Sequence, residues 1–289
     1  RSVRPSATGD LGNPPASEWH EMKVWINERA EEVPTGSTVA SLRDRFHPSA
    51  DVTIVNGFPA SPEVELHESD RLTLIQRGRL PSADELEFLL VSRHTPGVHE
   101  RVKEARVGIC GVGGLGSQVA IALARLGIGG LVLVDHDVVE PSNLNRQQYF
   151  IDQIGQPKVT ALAATLRRIN PYVNVETHQH FLTRPDYPNL FENISAMAEC
   201  FDNPTCKAEA FAVARTSMND VPWVFVSGIA GYYPADDLSV RRLAPNSWLV
   251  GDETHPAAPG TGLMSPRVMT AAGLQSNALL RLLLQLDPA

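Results

Sequence analysis

The sequence predicts an α/β protein with a mostly parallel sheet covered by helices on both faces, preceded by a smaller sheet wrapped around one helix. Three observations support this prediction. Strand and helix patterns alternate from Arg106 onward, and a glycine-rich turn joins the first of these strands to its helix. Upstream, residues 22–79 contain the order strand, strand, helix, strand, strand.

Composition limits the classes of partner. The chain has 289 residues, of which 43% are hydrophobic, enough for a substantial core. Its 33 acidic and 25 basic residues give a formal charge of −8, which supplies no field for binding nucleic-acid phosphates or anionic lipids. No stretch approaches the roughly 20 apolar residues of a membrane span, and the start of the chain lacks a signal-peptide layout. We therefore expect a cytoplasmic protein with no nucleic-acid or membrane partner.

The first part of the chain divides into three segments. Residues 1–21 are rich in Pro, Gly, Ser and charge, which predicts a flexible leader. Residues 22–79 form the small domain, with a helix opened by Ser37 and Thr38. Residues 80–100 form a helical connector. The strands predicted in the small domain are 24–26, 30–33, 52–55 and 72–75.

Residues 101–289 form the large domain, in which periodicity predicts alternating strands and helices. The predicted strands are 106–110, 130–134, 173–178, 197–201 and 222–227. The predicted helices are 115–126, 158–169, 204–217 and 265–286. A further helix is predicted at 83–91, in the connector that precedes this domain.

The turn after the first strand of the large domain has the pattern GxGxxG, formed by Gly111, Gly113, Gly114 and Gly116. Glycines at such a turn let backbone N–H groups approach a phosphate, and the following helix adds a partial positive charge. Asp135 ends the next strand about 20 residues later, where a Rossmann-like fold places its ribose-binding carboxylate. Nucleotide binding is therefore predicted, although a tight packing turn without a ligand is the alternative.

Two cations lie just beyond this acid. Arg146 and Lys158 are both expected beside the crevice at the strand ends, where they can neutralise a triphosphate and its departing pyrophosphate. The alternative for each is a solvated surface charge. A dehydrogenase has no need of cations at this point, so the pair favours ATP over a dinucleotide.

At these residues the chain resembles the ThiF, MoeB and HesA family, relatives of the ubiquitin-activating enzymes. The resemblance extends from about residue 101 to the C-terminus. It is carried by GVGGLGS, LVLVDHDVVEPSNLNRQ, IGQPK, CFDN and GLMSPRVMTAAGLQSNALLRLL.

The resemblance implies a reaction in which the C-terminal glycine carboxylate of a small sulfur-carrier protein attacks the α-phosphate of Mg-ATP. Asp135 would hold the ribose, and Asp202 would bind magnesium, with helix capping as its alternative. Arg93 is the candidate for an arginine that family members often receive across a dimer, so a homodimer is expected. The other residues assigned to the nucleotide are Gly111, Gly113, Gly114, Gly116, Asp137, Asn143, Arg146, Gln147 and Lys158.

Two features depart from the family. The chain has three cysteines and no CxxC pair, so no zinc is expected. Residues 231–262 lack the cysteine that many relatives use for a covalent link. Cys206 is the one candidate left, since a first-turn position beside Lys207 would lower its thiol pKa. Its alternative is a small packing residue, and Cys110 and Cys200 are expected to be buried and nonfunctional.

The small domain resembles the β-grasp carrier ThiS. A working carrier must end in a free Gly-Gly carboxylate, but Gly78 continues directly into Arg79. A separate Gly-Gly-ended carrier is therefore the expected partner, in sulfur transfer for thiamin or a related metabolite. A nicotinamide-dependent oxidoreductase and a noncatalytic nucleotide-binding scaffold are the alternative functions.

Overall fold

The computed structural model describes residues 20–92, 94–95, 97–258 and 260–289. The chain divides into two compact units, residues 1–92 and 93–289. Within the described residues, no helix combines the length and apolar character needed to cross a bilayer.

The first unit is a β-grasp-like domain, as predicted. Its five-stranded sheet has the order β2-β1-β5-β3-β4, and only the central pair β1–β5 is parallel. Val39 and Leu42 of the first helix pack against alternate buried residues of the strands. Its elements are β1 (Glu21–Ile26), β2 (Arg29–Pro34), α1 (Val39–Phe46), β3 (Val52–Val55), β4 (Phe58–Pro59), β5 (Arg71–Ile75) and α2 (Ala83–Val91).

Beyond β5 the chain turns at Gly78, whose φ is +72°. Arg79 then donates to both carboxylate oxygens of Glu85, each at 2.9 Å. Glu85 also completes a capping box with Ser82 at the start of α2. The chain after Gly78 is therefore fastened to its own next helix.

The second unit is a Rossmann-like α/β domain with a seven-stranded sheet. The helices are α3 (Val98–Glu104), α4 (Gly116–Arg125), α5 (Lys158–Ile169), α6 (Tyr187–Leu190), α7 (Pro204–Arg215) and α8 (Ser265–Leu283). The strands are β6 (Arg106–Cys110), β7 (Gly130–Asp135), β8 (Asn174–Gln179), β9 (Ala196–Glu199), β10 (Trp223–Val226), β11 (Ser239–Ala244) and β12 (Ser247–Gly251).

The strand order is β11-β12-β10-β9-β6-β7-β8, and every neighbouring pair is parallel except β11–β12. Alternate residues of each strand face opposite layers. Ile109 and Leu133 pack in the core that includes α4, α5 and α8, whereas Cys110 and Val134 pack in the core that includes α6 and α7. The predicted helices on both faces are thus confirmed.

Candidate functional site

A cavity of about 580 Å³ opens at the carboxyl ends of the parallel strands in the second unit. This edge is where open α/β sheets bind ligands. Most of the site residues predicted from the sequence line the cavity. They are Gly111, Gly113, Gly114, Asp135, Asp137, Arg146, Gln147, Lys158 and Asp202.

The glycine loop has no room for side chains at its two ends. Gly111 has a φ of +82°, and a Cβ there would lie 3.2 Å from the Cys200 carbonyl oxygen. A Cβ on Gly116 would lie 2.0 Å from the Gly111 carbonyl oxygen, so this glycine serves the close packing of α4 on β6 rather than the cavity lining. No side chain caps the N-terminus of α4. The N–H groups of Ser117, Gln118 and Val119 donate instead to the backbone carbonyls of Gly113 and Leu115, which closes the turn between the glycine loop and α4.

Asp135 holds the glycine loop in place. It is 9% exposed, and its carboxylate accepts hydrogen bonds from the backbone N–H groups of Val112 and Asp137 at 2.8 and 2.9 Å. Tyr149 donates its hydroxyl to the Val112 carbonyl at 2.7 Å. Burial, together with the Asp135 and Asp137 carboxylates, raises the pKa of Tyr149, which keeps the hydroxyl protonated as a donor. Asp135 therefore has a structural task in addition to its expected contact with a ribose.

Lys158, the first residue of α5, reaches the cavity from a buried position. Its Nζ lies 2.7 Å from Asp137 Oδ2, and the two side chains are 7% and 48% exposed. The ammonium has three protons, and Asp137 Oδ2 is its one hydrogen-bond acceptor among the described residues. Lys158 is thus a fixed cation rather than a solvated surface charge.

Arg146 and Gln147 carry buried polar atoms that lack partners within the described ranges. These atoms are Arg146 Nε and Gln147 Oε1. Arg146 also passes close to the loop, because a Cβ on Gly114 would lie 3.4 Å from its Cγ. Unpaired buried donors and acceptors are costly, so their position beside a cavity indicates that a ligand completes them.

Asn143 is buried but lies outside the cavity lining. Its side-chain oxygen accepts from the Glu140 N–H at 3.0 Å, and its carbonyl accepts from the N–H groups of Arg146 and Gln147. Asn143 therefore stabilises the turn that places Arg146 and Gln147 at the cavity.

Asp202 is exposed at the cavity, in the turn between β9 and α7. The cap of α7 comes from its neighbour: Asn203 accepts from the N–H groups of Thr205 and Cys206 at 2.8 and 3.4 Å. Asp202 makes no hydrogen bond or ion pair with any described residue. The capping alternative for Asp202 is therefore wrong, and its carboxylate is free for a ligand.

An ion pair between a buried glutamate and a partly exposed lysine at the cavity was not predicted from the sequence. Glu199, at the end of β9, is 1% exposed and accepts from Lys207 Nζ through both oxygens at 3.0 Å. Lys207 lies on α7 and lines the cavity. A glutamate on a strand and a lysine on the next helix form no local sequence pattern, so only the fold brings them together.

This ion pair overturns the expectation for Cys206. Burial, followed by the charges of Glu209 and Asp202, raises the pKa of the Cys206 thiol. Lys207 cannot lower it, because its ammonium faces Glu199. Cys110 and Cys200 are buried, as predicted.

A second unpredicted cluster braces the loops at the cavity mouth. Arg267, 3% exposed on α8, pairs with Asp252 and donates to the carbonyls of Tyr233 and Pro234. Asp252 also accepts from His255 Nδ1 at 2.6 Å. One guanidinium thus joins the loop after β10 to the loop after β12.

Asp135, His136 and Asp137 form a group of possible metal ligands, with candidate atoms within 4.8 Å of one another. The Asp135 oxygens already accept backbone N–H groups and Asp137 pairs with Lys158, so we assign no metal there. Arg93, predicted to act across a dimer, lies outside the described residues.

Two family models match the chain. The ThiF family matches residues 88–289, and the ThiS-like ubiquitin family matches residues 22–78. Among curated proteins, the ubiquitin-like modifier-activating enzyme 5 of Drosophila virilis is 38% identical over 144 residues, covering 46% of this chain and 35% of that protein. The chain spans about a third or less of the length of the curated relatives it matches.

Solved structures share the fold. The Escherichia coli tRNA N6-threonylcarbamoyladenosine dehydratase TcdA, solved in complex with ATP, has a TM-score of 0.62 at 23% identity and covers 68% of this chain and 92% of its own. Escherichia coli MccB, solved with AMPCPP and MccA, has a TM-score of 0.54 at 21% identity and covers 71% and 64%.

Proposed function

Because the chain belongs to the ThiF family, we propose that it is an ATP-dependent adenylyltransferase that activates the C-terminal carboxylate of a separate ubiquitin-like carrier protein. The carrier ends in Gly-Gly, and the products are carrier acyl-adenylate and pyrophosphate. The relatives named ubiquitin-like modifier-activating enzymes support a protein substrate of this class, and the ATP complex of TcdA supports the nucleotide.

The observation that carries the proposal is the arrangement of cations around the glycine loop. Lys158 is fixed by Asp137 with two ammonium protons to spare, and Arg146 has a buried Nε without an acceptor. Both line the cavity together with Gly113 and Gly114 of the glycine loop. Such donors are complementary to a triphosphate. Hydride transfer develops no new negative charge on phosphate groups, so it would not use these cations.

In the proposed reaction, a carrier carboxylate oxygen bonds to the α-phosphorus while the bond from that phosphorus to the bridging oxygen of pyrophosphate breaks. Negative charge moves onto the departing pyrophosphate. Arg146 and Lys158 would meet that charge without reorganising, because both are held beside the loop before the reaction. Asp135, fastened through the Val112 N–H, would keep the loop close to the phosphates.

Asp202 fits a magnesium ion, since its carboxylate is exposed to the cavity and unpartnered among the described residues. Magnesium typically takes one or two protein carboxylates together with phosphate oxygens and water. When bound, the ion would neutralise charge on the phosphates. No zinc is included in the proposal.

A separate carrier is proposed because the β-grasp unit offers no free carboxylate. Gly78 is followed by Arg79, which is bound through Glu85 to α2. We place the enzyme in the cytoplasm as a homodimer, with Arg93 as the residue contributed across the dimer. Sulfur transfer for thiamin or a related metabolite is the proposed pathway.

The test is exchange of labelled pyrophosphate into ATP by the full chain. We expect exchange with magnesium and a small Gly-Gly-ended carrier from the same genome, and none with the same carrier lacking its last glycine. Robust exchange without any carrier would contradict the proposal. Mass spectrometry of bound nucleotide separates ATP from a dinucleotide, and a retained dinucleotide would favour the oxidoreductase alternative.

A further inference from the structure

Strands β9 and β10 separate at the cavity, and we call this separation the fork. Strands β9 and β10 are paired at Met197↔Trp223 and Ala198↔Val224, and the register ends there. The chain from each strand end onward then lines the cavity, with Cys200 to Asn203 after β9 and Val226 to Gly228 from the end of β10. The carboxyl ends of these two strands therefore need hydrogen-bond partners other than each other.

Side chains from both layers supply these partners. From α8, Gln275 donates to the carbonyls of Glu199 and Val224, both at 2.9 Å. From α7, Lys207 Nζ donates to both Glu199 oxygens and, at 2.7 Å, to the Val226 carbonyl. An ammonium has three protons, so these three acceptors satisfy Lys207 completely. Lys207 therefore differs from Lys158, which keeps protons for a ligand.

The ion pair between Glu199 and Lys207 also joins the two ends of the segment that contains Asp202. Glu199 accepts the Phe201 N–H at 2.7 Å, which turns the chain immediately after β9. Asn203 caps α7, and one helical turn later Lys207 returns to Glu199. Asp202 thus lies within a nine-residue segment, 199–207, called loop 199–207 below, whose two ends are joined by the ion pair between buried Glu199 and partly exposed Lys207.

We infer that Lys207 and Glu199 are positioning residues for Asp202, acting through loop 199–207 rather than by contact with the nucleotide. The inference rests on the proposed function, because it assumes that Asp202 binds the metal of Mg-ATP. A pair with balanced charges adds no net charge to the cavity, so its contribution lies in holding the carboxylate where the metal binds. Removing it should weaken metal binding more than metal-free nucleotide binding.

The variants are chosen to keep the fold. Lys207→Met alone leaves the Glu199 carboxylate buried and unpaired, which is strongly destabilising. The double variant Glu199→Gln, Lys207→Met replaces the ion pair with neutral groups of similar shape, and thermal melting shows whether it folds. Lys207→Arg keeps the positive charge opposite Glu199 and should retain most of the parent's Mn²⁺ affinity.

Binding of Mn²⁺ to the complex of the full chain with a non-hydrolysable ATP analogue is followed by electron paramagnetic resonance. In the double variant we expect the Mn²⁺ dissociation constant to rise about tenfold, equivalent to about 1.4 kcal/mol. Affinity for the analogue in EDTA should stay within about twofold. Equal losses of metal and metal-free nucleotide affinity, or unchanged Mn²⁺ affinity, would overturn the inference.

Amide hydrogen exchange of the nucleotide-free protein separates this inference from the proposed function. Peptides covering residues 200–205 should exchange faster in the double variant than in the parent, while peptides from α5 should not change. Unchanged exchange in loop 199–207 would overturn the positioning role even in an active adenylyltransferase. A parent protein that binds neither ATP nor Mn²⁺ would refute the proposed function and the metal-binding role of Asp202 together.

Discussion

Lys158 Nζ lies 2.7 Å from Asp137 Oδ2, and the lysine side chain is 7% exposed while the aspartate is 48% exposed. The cation is thus held inside the protein by an acid that remains partly in solvent. Removing the lysine leaves a half-exposed carboxylate, which water can still solvate. The stability cost should therefore be smaller than the roughly 3–5 kcal/mol for breaking a fully buried pair, and kinetic effects can be measured on folded protein.

The first prediction is that Arg146→Ala and Lys158→Ala lower turnover more than ATP affinity. In the proposed reaction the two cations matter most as charge moves onto pyrophosphate, and loss of one such contact typically costs about 10²-fold or more in rate. The measurement is carrier-dependent pyrophosphate exchange alongside ATP binding. Arg168→Ala removes an exposed cation from the same helix as Lys158 and is the matched control. Near-normal adenylation by both site variants would show that the assigned chemistry is wrong.

The second prediction concerns Asp202→Asn, which should abolish metal-dependent exchange while the melting temperature changes little. The reason is that this exposed carboxylate makes no hydrogen bond or ion pair with a described residue and caps no helix, so the substitution removes only the proposed metal ligand. A magnesium titration of exchange is the measurement, with Asp220→Asn as the exposed control. Wild-type magnesium dependence in Asp202→Asn would place the metal elsewhere.

The third prediction is that Asp135→Ala weakens ATP binding and also loosens the glycine loop. The substitution removes the acceptor for two backbone N–H groups, and hydrogen bonds to charged groups contribute roughly 1.5–3 kcal/mol each. Stability should therefore fall further than in the Arg146 or Asp202 variants. Calorimetry measures binding, and hydrogen exchange at the amides of Val112 and Asp137 measures the loop. Unaltered exchange with weakened binding would show that Asp135 acts on the ribose alone.

The fourth prediction is that Cys206 reacts slowly with iodoacetamide at neutral pH. Its raised thiol pKa leaves less than the few per cent of thiolate that an ordinary cysteine has at pH 7. The alkylation rate should rise with pH beyond 9, and Cys206→Ser identifies the signal. Rapid labelling with a midpoint below pH 8 would instead identify an activated thiol.

Elements with strong local signals were predicted to the residue. The predicted bounds of β6 and α5 match the structure, because apolar periodicity and flanking breakers define both ends. The last helix was predicted to reach Leu286 but ends at Leu283, because Gln285 has a φ of +61°. The strand predicted over 197–201 ends at Glu199. The Glu199 carboxylate accepts a hydrogen bond from the Phe201 N–H, and this contact turns the chain out of the strand.

In the candidate site, too, the residues with local sequence signals were predicted and those that depend on the tertiary fold were missed. Most of the residues predicted from the glycine loop and the following motifs line one cavity at the carboxyl ends of the parallel strands, whereas Gly116 and Asn143 lie outside its lining. The pairs Glu199–Lys207 and Asp252–Arg267 were missed because their members belong to different elements and meet only in the folded chain. Strands β11 and β12 were also missed, since β11 shows no regular alternation of apolar residues.

The fork between β9 and β10 has a consequence for exchanging segments among homologous proteins. Gln275 lies 76 positions from Glu199 along the chain, yet it supplies the hydrogen bonds that Glu199 and Val224 lose where their strands part. A chimera that took its C-terminal helix from a protein with an apolar residue at this position would leave two buried carbonyls without donors. The C-terminal helix and strands β9 and β10 should therefore be exchanged together, although β11 and β12 lie between β10 and that helix in the sequence.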